Sequence, residues 1–588
     1  MVEFKLIREL WVHISKQRKK QFYFLFVLIF LGSLFEFVSI GLLIPFITAI
    51  SNPGVIFENE YANPIIIYLN IASEQDLLIT MVFLFASAAL LSGILRVLLI
   101  RNISKLSYLT GADLNIDIYK RTLSQNYEAH IGADKSEVIN KVINKTRLIV
   151  TGVIYPSLTI LSSFFIGVVI LALLIVVSPI TTIIVVSFIG TIYIFIIKFT
   201  RVNLSHKSEI IAKNSSRLVL FVQESLGSIR DIIIDNAHAK FYQKFDNIDL
   251  PLQKAESDIL FIGQSPKYLM ESAGMILIAI IAFFLAKDSQ NFDQALPVLA
   301  VMALSAQKLL PLVQQIYFGV SSVRGVGKSL EDVLSILRMP INDYGKSSNQ
   351  NNLPFLKNIE LRNISYRYPN EIKDVFTNIN LKINHGDCVG IIGDSGCGKS
   401  TLLDIIMGLL SPSSGEYYVD GIKLNKKNLH AWQANIAHVP QSIFLTNESI
   451  EKNIAFLVEK NDIDQDLLKK VINDSQLNEF LLKSSKEPKK YIGDMGEKLS
   501  GGQRQRVGLA RAMYKKPAVF ILDEATSALD KKTEEKIVES IFKSYRGSTI
   551  IMVAHRLTSL KNCNKIFKFK KNKLISIGSY EENLNVNR

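Results

Sequence analysis

The chain has 588 residues, with 67 Lys and Arg against 53 Asp and Glu, which gives a formal net charge of +14. Hydrophobic residues make up 48% and charged residues 20% of the sequence, and the mean hydropathy is +0.24. This composition excludes a disordered or fibrous protein and disfavours a wholly soluble one. The three cysteines, Cys388, Cys397 and Cys563, are too few for a disulfide scaffold and are interpreted as reduced cytosolic thiols.

The basic surplus is distributed as in a membrane protein. Residues 51–76 contain no Lys or Arg, whereas residues 198–267 carry basic side chains throughout. An excess of Lys and Arg in cytoplasmic loops is typical of membrane proteins. The charge is therefore assigned to membrane topology, and no nucleic-acid binding is predicted.

Six apolar stretches before residue 325 are each near the roughly 20 residues that a membrane-spanning helix needs. They lie near Phe22–Ile50, Leu77–Ile100, Leu148–Val177, Thr181–Ile197, Leu269–Ala286 and Ala295–Val320. With the N-terminus inside, the two inner connections, 101–147 and 198–267, are much longer than the outer ones and rich in helix formers. We therefore predict that the membrane helices extend well into the cytosol.

The first 20 residues are basic and amphipathic, with apolar residues at helical spacing. They form either a helix lying on the inner membrane surface or a solvated basic flank.

Two charged residues lie deep inside predicted spans, where ionisable groups are costly and are functional candidates. Glu36 is about 20 Å into the first span at 1.5 Å per residue, and Lys308 lies about as far from the outer end of the sixth. These two residues either line a polar translocation cavity or pair with each other for packing. Arg96 and Glu271 are close enough to the inner ends of their spans to reach the membrane surface.

Composition changes after the sixth span. Residues 341–353 are polar and rich in Asn and Ser, which indicates a linker. Beyond it the sequence is β-rich and then alternates helix with strand. We predict a multidomain protein with an all-α transmembrane domain of six helices (residues 1–340), a linker (341–353) and an α/β P-loop domain (354–588).

Residues 393–401 (GDSGCGKST) match the P-loop pattern GxxxxGK[ST], after the strand-like run Cys388–Ile392 and before the helix-like run Leu402–Leu410. The pattern predicts that backbone N–H groups cradle nucleotide phosphates, that Lys399 reaches the β- and γ-phosphates, and that Ser400 ligates Mg²⁺. The alternative is a chance glycine-rich turn. The loop residues assigned to ATP binding are Gly393, Ser395, Gly396, Cys397, Gly398, Lys399, Ser400 and Thr401.

A second run, Ala518–Leu522, predicts a buried parallel strand that ends in Asp523 and Glu524. Asp523 is expected to hold Mg²⁺ through its second coordination shell and Glu524 to polarise the attacking water. A buried strand that merely ends in surface acids is the alternative.

Together with these patterns, Leu499–Gln503 (LSGGQ) resembles the signature motif of ABC ATPases. Tyr368 resembles the aromatic residue that stacks on adenine, Gln441 the Q-loop glutamine, Ser527–Asp530 the D-loop and His555 the switch histidine. Six spans followed by one such domain resemble the half-transporter layout of ABC exporters.

The resemblance implies ATP and Mg²⁺ as cofactors and ATP hydrolysis coupled to transport. It implies catalytic roles for Glu524, His555 and Gln441, and a Mg²⁺ site formed by Ser400, Gln441 and Asp523.

The resemblance also implies that the signature residues of one subunit complete the ATP site of another. These residues are Ser500, Gly501, Gly502 and Gln503. Because one chain has one P-loop and one signature, a homodimer with two equivalent sites is expected.

Two inner segments resemble the coupling helices of exporters, Glu224–Asp231 clearly and Leu123–His130 less so. A solvated helix–turn is the alternative for both.

The membrane region resembles, more loosely, transporters of bacterial polysaccharide pathways, including lipid-linked oligosaccharide flippases. The stretches that carry this resemblance are residues 36–47 and 295–311, and Asn63–Ile71 is expected to form a short external helix. The resemblance implies ATP-driven export or flipping of an amphipathic lipid-linked saccharide across the inner or plasma membrane, with the nucleotide domain in the cytoplasm. A lipid or multidrug exporter is the alternative, and an ATP-gated channel is disfavoured because both halves of the ATPase site are intact.

Overall fold

The computed structural model describes residues 2–582, except for positions 52, 59–62, 69–70, 72, 133, 178, 289–291, 342–352, 370, 479–492, 494–495, 555–556, 571 and 581. Contacts divide the chain into two units. One consists of Met1–Gln125 with Gly132–Asn342, and the other of Asn126–Ile131 with Asp343–Arg588. The predicted linker lies almost entirely outside the described residues.

The described residues of the first unit form helices joined by short connections, and none of them lies in a β-strand. Its helices are α1 (Val2–His13), α2 (Lys16–Gly41), α3 (Leu43–Ser51), α4 (Pro53–Phe57), α5 (Asn63–Tyr68), α6 (Glu74–Leu123), α8 (Lys135–Asn140), α9 (Thr146–Ile149), α10 (Tyr155–Val177), α11 (Pro179–Gly227), α12 (Ile229–Ile234), α13 (His238–Gln264), α14 (Pro266–Asp288), α15 (Phe292–Gly325) and α16 (Gly327–Leu337), whereas α7 (Tyr127–Ile131) belongs to the second unit. The short segments Lys141–Lys145 and Val150–Ile154 are π-helical. The short helix expected near Asn63–Ile71 is present as α5.

Four stretches of the described residues are long and apolar enough to cross a membrane: Lys16–Ile50, Glu74–Leu123, Lys135–Val177 and Thr182–Gly227. They coincide with the first four predicted spans. The fifth and sixth predicted spans lie within α14 and α15, and their crossing stays a prediction.

Two of the helices are far longer than a membrane is thick. The 50 residues of α6 and the 49 of α11 correspond to about 75 Å each at 1.5 Å per residue. The hydrocarbon core is about 30 Å thick. Both helices are therefore long enough to continue well beyond the bilayer, and their extension into the cytosol stays a prediction.

The N-terminal helix α1 is packed rather than solvated. Leu10 is buried in a cluster with Leu330 and Leu334 of α16. The carboxylate of Glu9 accepts two hydrogen bonds from the Arg338 guanidinium, at 2.6 and 2.9 Å. Apolar packing and an ion pair together hold α1 on the helical unit, so the alternative of a solvated flank is wrong.

The second unit is α/β. Its strands are β1 (Asn358–Tyr366), β2 (Phe376–Asn384), β3 (Cys388–Ile392), β4 (Ser414–Val419), β5 (Ile422–Lys423), β6 (Ile436–Val439), β7 (Val519–Asp523), β8 (Thr549–Val553), β9 (Lys565–Lys570) and β10 (Lys573–Gly578). Its further helices are α17 (Lys399–Ile406), α18 (Leu429–Gln433), α19 (Ile450–Ile454), α20 (Gln465–Asp474), α21 (Gly501–Tyr514) and α22 (Lys531–Ser544).

The strands form two sheets. An antiparallel sheet has the order β2-β1-β4-β5, and a six-stranded sheet has the order β10-β9-β3-β8-β7-β6. In the larger sheet, β9, β3, β8, β7 and β6 pair in parallel and β10 is antiparallel. The apolar runs of β3, β7 and β8 are buried, as strands covered on both faces require. Their carboxyl ends meet at one edge of the sheet, where α/β proteins bind ligands.

Candidate nucleotide site

The P-loop follows β3 and leads into α17, as its motif requires. Gly396 and Gly398 have φ angles of +77° and +99°, a region that residues with a side chain rarely adopt. A Cβ atom on Gly398 would also lie 2.9 Å from a neighbouring valine methyl group. The Lys399 ammonium donates to the carbonyl oxygens of Gly393 and Asp394 at 2.8 and 2.9 Å. The loop therefore curls around its own lysine and has a built phosphate-binding geometry, so the chance-turn alternative is wrong.

The helix after this loop is shifted relative to the prediction. The run Leu402–Leu410 was expected to be helical, but α17 begins at Lys399 and ends at Ile406. Gly408 has a φ of +67°, a left-handed conformation that terminates helices.

The expected Mg²⁺ ligands Ser400 and Asp523 lie side by side. The Ser400 hydroxyl donates to Oδ2 of Asp523 at 3.0 Å. Hydroxyl and carboxylate oxygens are hard ligands that suit Mg²⁺. Within the described residues, no group of three or more His, Cys, Asp or Glu side chains could hold a metal ion alone. This donor set therefore fits a Mg²⁺ ion whose remaining ligands come from nucleotide phosphates and water.

Glu524 is held in a strained position next to Gln441. Its φ of +51° is unusual for a residue with a side chain, and such strain clusters at functional sites. The Gln441 amide donates to Oε2 of Glu524 at 2.7 Å. Because Asp523 and Glu524 are consecutive, the structure brings four predicted residues to one sheet edge. Gln441 contacts the expected catalytic carboxylate, and its role as a metal ligand stays a prediction.

Tyr368 lies beside the P-loop helix. Its hydroxyl shares a hydrogen bond with Oγ1 of Thr401 at 3.1 Å, and its ring meets Tyr366 edge to face at 5.1 Å between centroids. This position suits an aromatic residue at the base end of a nucleotide, and adenine stacking stays a prediction.

The signature residues form the start of α21. Ser500 caps this helix, because its hydroxyl accepts from the Gln503 N–H at 3.2 Å while the Gln503 side chain accepts from the Ser500 N–H at 2.8 Å. Such a helix N-terminus favours anions. Among the described residues, no hydrogen bond joins residues 500–503 to residues 393–401.

Two residues of the site have no signal in the sequence. Gln505 of α21 accepts from the Ala528 N–H at 2.9 Å and donates to the Ser527 hydroxyl at 3.1 Å, which ties the signature helix to the D-loop. Asp404 of α17 is half-buried, and burial, with a smaller effect of the Asp523 carboxylate, raises its pKa to about 6. Both depend on contacts between distant segments, which no local pattern encodes.

The predicted switch histidine, His555, lies outside the described residues. The segment after it is held by Glu534, whose Oε1 accepts from Ser559 at 2.7 Å and from Thr526 at 2.8 Å. Thr526 directly precedes the D-loop, so this carboxylate links two segments that flank the site.

The two predicted coupling segments are both helical. The first is α7, slightly later than the predicted 123–130, and it groups with the nucleotide unit. Oε1 of Glu128 accepts from the Ser411 N–H at 3.4 Å. Burial and the nearby Asp404 raise the pKa of Tyr127. The second segment, Glu224–Asp231, covers the end of α11 and the start of α12, in the membrane unit.

Two family models match the chain. Residues 22–307 match the ABC transporter transmembrane region, and residues 376–527 match the ABC transporter family. The chain superposes on a bacterial Atm1-family ABC exporter with ATP bound, with a TM-score of 0.75, 18% identity and coverage of 97% of this chain and 96% of that one. At this identity the likeness shows the fold. In both domains and in their order, the chain matches the ABC transporters, and it has the fold of an ABC exporter.

Similar curated proteins are named as ABC transporters or as a translocation protein. The leukotoxin translocation ATP-binding protein LktB of Mannheimia haemolytica is 31% identical over 66% of this chain and 54% of its own length. ABC transporter B family member 14 of Arabidopsis thaliana is 30% identical over 62% of this chain and 29% of its own length. The ABC multidrug transporter mdr1 of Aspergillus fumigatus is 35% identical over 38% of this chain and 17% of its own length. The matched regions thus span from about a sixth to about half of these relatives.

Proposed function

We propose that this chain is one half of an ATP-driven exporter or flippase that moves an amphipathic substrate across the inner or plasma membrane. The single observation that carries the ATPase is the convergence of the Ser400–Asp523 and Gln441–Glu524 pairs at one sheet edge. This arrangement supports a Mg²⁺ site next to a positioned carboxylate.

The role of each residue follows from this geometry. Glycine amides and the Lys399 ammonium bind and orient the phosphates. Mg²⁺, held by Ser400 and Asp523, would neutralise phosphate charge when bound. Glu524 accepts a hydrogen bond from Gln441 on one oxygen, so its carboxylate is oriented to take a proton from the attacking water.

We further propose that the working unit is a homodimer. One chain holds one P-loop and one capped signature helix, and no hydrogen bond of the described residues connects them. A two-fold axis would place each signature over the other chain's loop and form two equivalent sites.

The second coupling helix supports the same assembly. Ile233 and Ile234 of α12 are exposed, Ile234 to 71%. The nucleotide unit has an apolar groove of about 630 Å³ lined by Phe456 and by Leu457, which is 89% exposed. We propose that α12 packs on the nucleotide domain of the partner subunit, so that nucleotide-dependent closure reaches the membrane helices.

For the cargo we propose a lipid-linked saccharide or related glycolipid. The supports are the resemblance over residues 36–47 and 295–311 and the long, partly polar membrane helices. A lipid or multidrug exporter is the second candidate. It is favoured by the names of several similar proteins, which describe multidrug transport or resistance.

The test is a Glu524→Gln variant of the full chain in nanodiscs. We expect turnover to fall by about two to four orders of magnitude, while ATP binding and ATP-dependent dimer closure persist. Glu539→Gln, at an exposed position of α22, is the matched control and should keep full turnover. Full turnover of the Glu524 variant, or a monomer under vanadate trapping, would contradict the proposal.

Cargo is tested in proteoliposomes with a fluorescent lipid-linked saccharide and a cationic dye. ATP-dependent movement of the saccharide alone supports the flippase, and movement of the dye alone supports a multidrug exporter.

A further inference from the structure

A cavity in the membrane unit has the chemistry of a substrate site. It has a volume of about 630 Å³ and lies among α6, α10 and α15. This volume falls within the roughly 300–1,000 Å³ typical of small-molecule sites. Its wall is mainly apolar and aromatic, with Ile100, Tyr108 and Phe318 among the lining residues.

One cation faces this cavity. Arg96 of α6 lines it and is only partly exposed. Among the described residues Arg96 has no hydrogen bond and no carboxylate within ion-pair distance. A guanidinium cannot lose its proton in a protein, so this charge is permanent.

The nearest acidic group is already satisfied. Glu36 accepts hydrogen bonds from Lys308 at 2.6 Å and from the Ser92 hydroxyl, one helical turn from Arg96. The pair of Glu36 and Lys308 is neutral as a whole. Glu36 also attracts Arg96 electrostatically, but one carboxylate faces two cations, so these three described residues together carry one net positive charge.

The remaining polar lining also offers donors. Oε1 of Gln315 accepts from the Ser163 hydroxyl at 2.7 Å, whereas its amide N–H groups have no partner among the described residues. Ser104 adds a hydroxyl to the same wall. Charged groups in membrane helices usually face a partner or a substrate path. Guanidinium and amide donors on an apolar wall match a ligand with an acceptor-rich head and an apolar tail.

We infer that this cavity binds an amphiphile with an anionic phosphate or carboxylate head, and that Arg96 contacts the head directly. The inference rests on the proposed function, and it names the chemical class of substrate that the proposed exporter carries through the membrane. It also explains why Arg96, which the sequence allows to reach the membrane surface, instead faces an internal wall.

The experiment uses the full chain in phosphatidylcholine nanodiscs and measures the stimulation of ATPase activity relative to each sample's own basal rate. The probes are hexadecyl phosphate, which is anionic, hexadecylphosphocholine, which has the same phosphate balanced by a choline, and hexadecyl maltoside, which is uncharged. Methyl phosphate tests whether the head alone suffices. We expect hexadecyl phosphate to act at a concentration at least about tenfold lower than the other two amphiphiles, and methyl phosphate to have no effect.

Variants test the assignment to Arg96. Arg96→Gln should raise the half-stimulating concentration of hexadecyl phosphate by about tenfold to a hundredfold, because a charge-assisted bond is lost. Arg96→Lys should retain part of the preference for the anion. The matched control is Arg101→Gln, an exposed arginine of the same helix that does not line the cavity, and it should behave as wild type.

Equal responses of the wild type to the anionic and zwitterionic amphiphiles overturn the inference, and this comparison does not depend on any variant. Equal effects of Arg96→Gln and Arg101→Gln also overturn it. If methyl phosphate stimulates the ATPase as well as hexadecyl phosphate does, the alkyl tail contributes nothing to binding. That result overturns the assignment of an amphiphile. In each case a measurable basal rate leaves the proposed ATPase intact, whereas loss of basal activity in the wild type would refute the proposed function.

Discussion

The two partners of the ion pair inside the membrane unit should contribute unequally to stability. Oε1 of Glu36 lies 2.6 Å from the Lys308 ammonium, and the Glu36 side chain is 6% exposed against 29% for Lys308. Removing Lys308 leaves a buried carboxylate with only the Ser92 hydroxyl as donor, whereas removing Glu36 leaves an ammonium that the protein buries less completely. We therefore expect Lys308→Gln to destabilise more than Glu36→Gln.

The magnitudes follow from burial. Breaking a buried pair by removing one partner costs about 3–5 kcal/mol, and we assign that range to Lys308→Gln. For Glu36→Gln we expect about 2–3 kcal/mol, since the remaining charge is less buried. The double variant should recover part of the loss, because two amides replace two charges without leaving either one alone.

The assay is the fraction of protein that stays unaggregated after heating, measured by size-exclusion chromatography across a temperature series. A control pair is available in Lys267 and Glu271, 3.9 Å apart and about half exposed, whose separation should cost less than about 1 kcal/mol. Equal losses in the two single variants, or simple additivity in the double variant, would refute the reasoning. The same variants separate the two roles left open for this pair, because a translocation role requires transport to fall more than basal ATPase activity.

Two further predictions concern the nucleotide unit. The pKa of Asp404, raised to about 6 by burial, means that the folded state binds a proton that the unfolded state has already released. The free energy of unfolding should therefore fall as pH rises from about 4 to about 6 and stay level above pH 6. Asp404→Asn should be more stable than the wild type near neutral pH and should have no advantage at acidic pH. Thermal melts at several pH values measure both effects. Cys397 is partly exposed in the P-loop, whereas Cys388 and Cys563 are buried and lie 2.9 Å apart at their sulfur atoms. Alkylation of the native protein should therefore modify Cys397 first and ATP should protect it, as mass spectrometry would show, and modification of the buried pair at the same rate would contradict the burial.

The nucleotide site could be predicted because its signals are local. The P-loop turn depends on glycines at fixed spacing, and the structure gives Gly396 and Gly398 the positive φ angles that the pattern requires. The run ending at Asp523 is apolar and uninterrupted, which indicates a strand buried on both faces. Where the prediction differed, at the end of α17, a single glycine conformation decided the helix boundary.

The membrane unit was less predictable because the membrane-spanning parts of its helices are apolar on nearly all sides. When a helix is apolar on all sides, its sequence indicates which residues cross the membrane but not how the helix is rotated about its axis. The sequence therefore could not show which side chains contact each other. Glu36 and Lys308 were identifiable as unusual, yet their contact depends on how α2 and α15 are turned toward each other. The same applies to Arg96, which looks like an end-of-span residue in the sequence and lines a cavity in the structure.

The depth of burial alone therefore does not distinguish structural from functional charged residues in this membrane unit. The presence or absence of a direct counter-ion in the protein does. Glu36 is the more deeply buried group, and the protein itself supplies its counter-ion and a hydroxyl donor. Arg96 is less buried, and it shares the distant attraction of the Glu36 carboxylate with Lys308 without a direct ion pair of its own among the described residues. Desolvating a charge without a partner is unfavourable in the resting protein, so a ligand that supplies the missing negative charge gains more there than at a balanced pair. The uncompensated residue, rather than the most buried one, is where substrate specificity is expected to lie.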